Sequence, residues 1–172
     1  MTNLVTNGYK LNNPQIAEEV LRVTDQVEIS LRSLHPVVHD NVVLGQGWVK
    51  EKPEKPPKVG SFKEAVEALE ILNQARERTG GKNNLAVNFD LYKQTEDFES
   101  QGMSYAIAKM LKEKGVGVDG FYVQLINFSG RAKESEAYIK ENIQVDKKGV
   151  LQALSDLKAM RDELGIKDVG MT

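Results

Sequence analysis

The residues best placed to do chemistry are Ser129-Gly130-Arg131-Ala132-Lys133. They come after an apolar run, Phe-Tyr-Val-Gln-Leu-Ile-Asn-Phe at 121–128, that reads as a β-strand, and they precede a segment of helical character. A glycine there lets backbone approach a ligand closely, and a helix starting there would aim free amides and the positive end of its dipole at an anion. Arg131 and Lys133 would add charge, arginine in the two-pronged manner that suits phosphate or carboxylate. Ser129, Gly130, Arg131 and Lys133 are therefore the expected ligand-binding residues. The glycine spacings of a Walker loop and of the dinucleotide fingerprint are absent. Without an anion the same residues make an ordinary Ser-Gly turn.

Other constellations are less specific. His35 and His39 have the spacing of a metal pair, but Pro36 stands directly after His35 and removes the helical geometry that would bring them to one face. No third ligand is specified, and no metal is expected. His39 could still serve as a general base, since imidazole titrates near neutrality. Asp90, Glu96, Asp97 and Glu99 gather at the end of one strand and in the loop beyond it. A solvated, capped loop accounts for the last three. Asp90 on the strand is the acid–base candidate, because an unpaired carboxylate there would be costly to bury. Gly115-Val-Gly-Val-Asp-Gly120 precedes a strand instead of opening a helix after one, so it reads as a helix stop and a turn. No nucleophile–base pair and no cofactor motif is legible.

These residues must be positioned by a central strand–helix–strand unit between 84 and 131. Leu-Ala-Val-Asn-Phe-Asp-Leu-Tyr at 85–92 alternates apolar and polar residues, the period of a half-buried strand. From Met103 to Lys114 the period becomes helical, with Met103, Ile107, Met110 and Leu111 on one face. Residues 121–128 return to strand character. Upstream, Asn13-Pro14 opens a helix, asparagine as cap and proline at the first position. Ile16, Val20, Val23, Val27, Leu31 and Leu34 then recur every three or four residues, predicting one long helix over 14–34 that ends at Pro36. Its stripe packs on the chain's own sheet or on a second copy. Val20, Val27 and Leu31, with the lone Trp48 flanked by a glycine, are the expected interface residues.

Lysine and proline crowd residues 51–60, which read as an exposed, extended connector. Ser61-Phe-Lys-Glu64 is a capping box whose helix carries Phe62, Ala65, Val66, Leu69 and Leu72 inward and stops near Thr79-Gly80-Gly81. Asp146 caps a last helix, with Val150, Leu154, Leu157, either Met160 or Arg161, and Leu164 on successive turns before Gly165. Residues 1–12 have no clear period and read as a flexible arm or an edge strand. Residues 166–172 read as a tail, leaving 13–165 as a single globular domain.

The expected fold is α+β, or α/β: a two-layer sandwich of about five helices on a sheet of roughly three or four strands. The alternation at 85–92 favours a sheet covered on one face. With 172 residues, 23 basic and 25 acidic side chains, a formal net charge of −2 and no cysteine, the chain has no disulfide framework or thiolate chemistry. The charge balance argues against wholesale nucleic-acid binding. No secretion signal and no membrane-length apolar run is legible, so a soluble, cytoplasmic protein is expected. Two functions fit these residues. The first is a non-catalytic protein-binding or assembly module that self-associates through 14–34 or takes another protein as partner. The second is a small enzyme or sensor that binds a phosphorylated or carboxylated small molecule at 129–133.

Overall fold

A computed structural model of the chain describes residues 1–31, 62–91, 102–125 and 146–171. Its strands are β1 (Asn3–Thr6), β2 (Gln26–Ser30), β3 (Asn84–Leu91), β4 (Gly120–Leu125) and β5 (Asp168–Met171). Its helices are α1 (Pro14–Val23), α2 (Phe62–Thr79), α3 (Met103–Glu113) and α4 (Lys147–Ala159), the last running into a π-helical turn at Met160–Leu164. The five strands form one sheet in the order β1-β2-β3-β4-β5, and every neighbouring pair is parallel. The class is thus α/β, and the sheet is wider than the three or four strands expected, while four α-helices stand among the described residues.

Strand order equal to chain order has a consequence for the layers. Parallel neighbours need a crossover between them, and crossovers are almost always right-handed, so successive helices fall on the same side. Burial agrees. Val27, Ile29 and Leu31, then Leu85, Val87, Phe89 and Leu91, then Phe121 and Val123 are all but inaccessible and join the helices in one core. Their alternates along the strands are Gln26, Glu28, Ser30, Asn88, Asp90, Tyr122 and Gln124. The alternation at 85–92 therefore reports a parallel sheet with one apolar and one polar face. Such wiring, consecutive and single-sided, is that of a stretch of (β/α)-barrel wall.

Local signals explain most element ends. The Asn13 side chain accepts from the amides of Gln15 and Ile16, and that of Asp146 from Lys148 and Gly149, so both expected caps are present. Gly80 and Gly115 take φ of +62° and +75° just past α2 and α3. The π-turn widens the end of α4, which sets Met160 and not Arg161 in the core. Ser61, the first residue of the capping box, lies outside the described residues.

The predicted helix over 14–34 is the main correction. α1 ends at Val23, Thr24 turns extended, and residues 26–30 are strand β2. The spacing 20, 23, 27, 31 fits a helix, but 27, 29, 31 fits a strand equally well, and pairing with β1 and β3 decides between them. Strands also stand near both chain ends. Residues 3–6 of the expected arm form edge strand β1, and residues 168–171 of the expected tail form β5. Four residues are too few to show a period in sequence. The connector 51–60 lies outside the described residues.

A polar lock ties the helix layer together. Asp156 on α4 is 5% exposed and accepts from Ser104 Oγ at 3.1 Å, the Tyr105 amide at 3.2 Å and Gln152 Nε2 at 2.7 Å. It thereby caps α3, whose own N-cap, Gly102, has no side chain to offer. Losing a buried carboxylate that serves three donors costs about 2–3 kcal/mol. Asp156→Ala should lower the urea midpoint by that amount with the slope unchanged. An unshifted midpoint would refute the capping role.

Candidate functional site

The polar face of the sheet is built by register. Parallel pairing sets Val5, Glu28, Ala86, Gly120 and Asp168 in one row across the strands. The next row toward the carboxyl ends holds Ser30, Asn88, Tyr122 and Gly170, and the row beyond it Asp90 and Gln124. Side chains in a row point the same way, so residues distant in sequence meet over the sheet. Asn3, Val5, Glu28, Asn88, Tyr122 and Gln124 line an open cleft of about 420 Å³ there. It lies over the middle of the strands, from Asn3 at the start of β1 to Gln124 near the end of β4.

Small residues make room for it. Ala86 and Gly120 occupy the middle of the first row, and the Tyr122 ring lies across them. A Cβ built on Gly120 would stand 3.0 Å from the Tyr122 hydroxyl oxygen and 3.2 Å from Ala86 Cβ. Laid down in this way, Tyr122 donates its hydroxyl proton to Asp168 and lies 3.5 Å from Gln26 Nε2. Burial, and then the bond to Asp168, push the Tyr122 phenol up to about 12.

Glu28 is the centre of the cleft's chemistry. It is 7% exposed, and its carboxylate accepts from Asn3 Nδ2, from Gln26 Nε2 at 2.8 Å and from Asn88 Nδ2 at 3.4 Å. All three donors are neutral amides, and no basic side chain forms an ion pair with Glu28 among the described residues. Asn88 also donates to Gln124 Oε1 at 3.2 Å. An ionised carboxylate only accepts, so Asn88 must turn its NH₂ toward Glu28. That leaves Asn88 Oδ1 buried without a hydrogen-bond partner among the described residues. Buried polar atoms in native folds are almost always satisfied, so this orphaned acceptor calls for a donor beyond the described residues.

The expected site residues are distributed unevenly around this cleft. Asp90 is on the polar face, paired in register with Gln124, one row beyond Asn88. Its strand does run parallel beside β4, the condition for Asp90 to share a cleft with the turn after that strand. Ser129, Gly130, Arg131, Lys133, His39 and Trp48 lie outside the described residues. Val20 is half-buried against the core, while Val27 and Leu31 have no accessible surface. A side chain wholly inside its own core presents nothing to a partner. Among the described residues no group of three or more histidine, aspartate or glutamate side chains could hold a metal ion. Glu28 and Asn88 escape sequence reading because each reads as the polar alternate of a helix or strand. The available signal is Gln26-Val-Glu-Ile-Ser30, a period-2 run with acid at its centre.

Tyr122 supplies a test. A pKa raised from 10.0 to about 12 means the fold favours the protonated phenol. Its contribution to stability is whole below pH 10 and is lost as pH rises toward 12. Tyr122→Phe should flatten that alkaline loss of stability, and Gly120→Ala, by displacing the ring, should return the phenol toward its ordinary value in an ultraviolet titration. An alkaline limb unchanged from that of the parent protein in both variants would rule out the laid-down tyrosine. No family model and no curated protein matches this chain, so the geometry of the cleft carries the functional argument.

Proposed function

We propose that the chain is a small-molecule-binding domain, of an enzyme or a sensor, that takes a polar ligand on the open face of its parallel sheet. The observation that carries this is Asn88 Oδ1, partnerless among the described residues, beside the amide-held Glu28. A protein that needed this face only for stability gains more from apolar side chains packed against a second layer than from the buried polar side chains Gln26, Glu28, Ser30 and Asn88. Asn88, Gln124 and Glu28 converge from three adjacent strands, a rigid platform of the kind that fixes a ligand's orientation. Asp90, in the neighbouring row, is the acid–base candidate closest to it. The turn at 129–133 comes after β4 in the chain, and a phosphorylated or carboxylated group bound there by Arg131 and Lys133 belongs to the same proposal. So does the cytoplasmic setting; no helix among the described residues is long and apolar enough to cross a membrane.

A fragment screen read by side-chain amide NMR tests the reading. Ligands should move the Asn88 and Gln124 NH₂ resonances, and Asn88→Leu should abolish the Gln124 shift while the fold is kept. A screen of polar fragments that leaves both resonances still, at millimolar concentration, would sink it.

One observation favours the second reading, self-association. On α1, Ile16 and Val23 are 40% and 69% exposed and flank the half-buried Val20. This outer stripe replaces the 14–34 surface expected from sequence, with Val20 common to both. Val23→Glu should lower the mass measured by light scattering if copies meet there, at little cost in stability because the site is exposed. A mass equal to one chain before and after the substitution would dismiss this surface.

A further inference from the structure

We infer, resting on the ligand-binding reading of the cleft, that the part of the ligand reaching its floor is a cationic hydrogen-bond donor, an ammonium or guanidinium group. Glu28 is 7% exposed, and its partners among the described residues are amides alone. Amide donors satisfy its lone pairs but bring no positive charge, so among the described residues the desolvated carboxylate lacks the counter-ion that buried charges ordinarily keep. None of the cleft's described lining residues is basic. In the same row Asp168 adds a second carboxylate, bonded to Tyr122. The described residues therefore put a negative field over this floor, which repels a phosphate or carboxylate and attracts a cation.

The free valence has the matching polarity. Asn88 Oδ1 is an acceptor without a donor among the described residues. The other two side chains that meet the Asn88 amide, Glu28 and Gln124, also turn oxygens toward it. A ligand hydroxyl could donate to Asn88, but only a charged donor also neutralises Glu28. An ammonium, with three donors and no acceptor, fits such a set of oxygens without leaving a lone pair facing a lone pair.

The test uses three four-carbon probes of equal reach, putrescine, 1,4-butanediol and succinate, titrated at constant ionic strength. The readout is the side-chain amide resonances of Asn88, Gln124, Gln26 and Asn3. Putrescine should move them at concentrations at least about tenfold below butanediol, and succinate should not move them. Glu28→Gln should weaken putrescine by at least about tenfold, the scale for losing one member of a buried charged pair. Glu113→Gln, on the exposed end of α3, is the control for diffuse attraction to acidic surface and should change nothing. If Glu28→Gln does not fold by circular dichroism, Asn88→Ala removes the free acceptor, keeps the carboxylate and should weaken putrescine about threefold or more. Butanediol or succinate binding as well as putrescine overturns the charge assignment and leaves the cleft a ligand site. Putrescine insensitive to Glu28→Gln, or to Asn88→Ala, overturns it as well. If no probe moves these resonances, the inference fails, and the ligand-binding reading is decided separately by the wider fragment screen.

Discussion

Everything in this structure depends on the in-register parallel pairing of β2 with β3. Val27, Ile29 and Leu31 reach the core only because Gln26, Glu28 and Ser30 turn the other way, and a slip of one residue would exchange the two sets. Burying Glu28 under the helices would strand a charge among leucines, while exposing Ile29 would forfeit most of a full side-chain transfer, about 1.5–3 kcal/mol. The hydrophobic effect on one face therefore fixes the geometry of the polar groups on the other. The cleft is positioned by the core behind it.

That dependence explains how a polar platform is tolerated at all. A buried amide network is costly when half satisfied and rigid when complete. Here, among the described residues, it is complete but for one atom, Asn88 Oδ1. Around it the chain uses small residues: Ala86 and Gly120 clear the lane in which Tyr122 lies, and Tyr122 in turn shields the floor and links Asp168 into the network. The far end of the strands is closed off by a separate polar knot. Arg76 of α2 bonds Asp119 and the Gly117 carbonyl, and Asp119 accepts from the Leu85 amide at 3.0 Å, so the β3 and β4 entries are pinned together. With Asp156 locking α3 to α4, the sheet and its helix layer form a rigid support for the face they leave open.

Particular residues show where sequence reading succeeds. Asn13 and Asp146 are legible as caps because capping is a contact between near neighbours, and the chain alone specifies it. Strands β3 and β4 and helix α3 are legible because eight, six and eleven residues are long enough to display a period. The boundary of α1 is not, since Val20, Val23, Val27 and Leu31 fit a helix while Val27, Ile29 and Leu31 fit a strand, and only the neighbours β1 and β3 choose the strand. β1 and β5 are too short for any period. Their existence comes from edge pairing, a partner's property more than their own.

The sequence by itself determined the two-faced character of the chain: the apolar stripe of each helix, the alternation of β3, and the polar residue types that any ligand would meet. Local chemistry carries that information, through burial preference and backbone capping. Tertiary structure alone decided that Glu28 of β2, Asn88 of β3 and Gln124 of β4 stand side by side, separated as they are by dozens of residues in the chain. Strand order and register are set by the summed packing of the whole core, and no window of the sequence contains that sum.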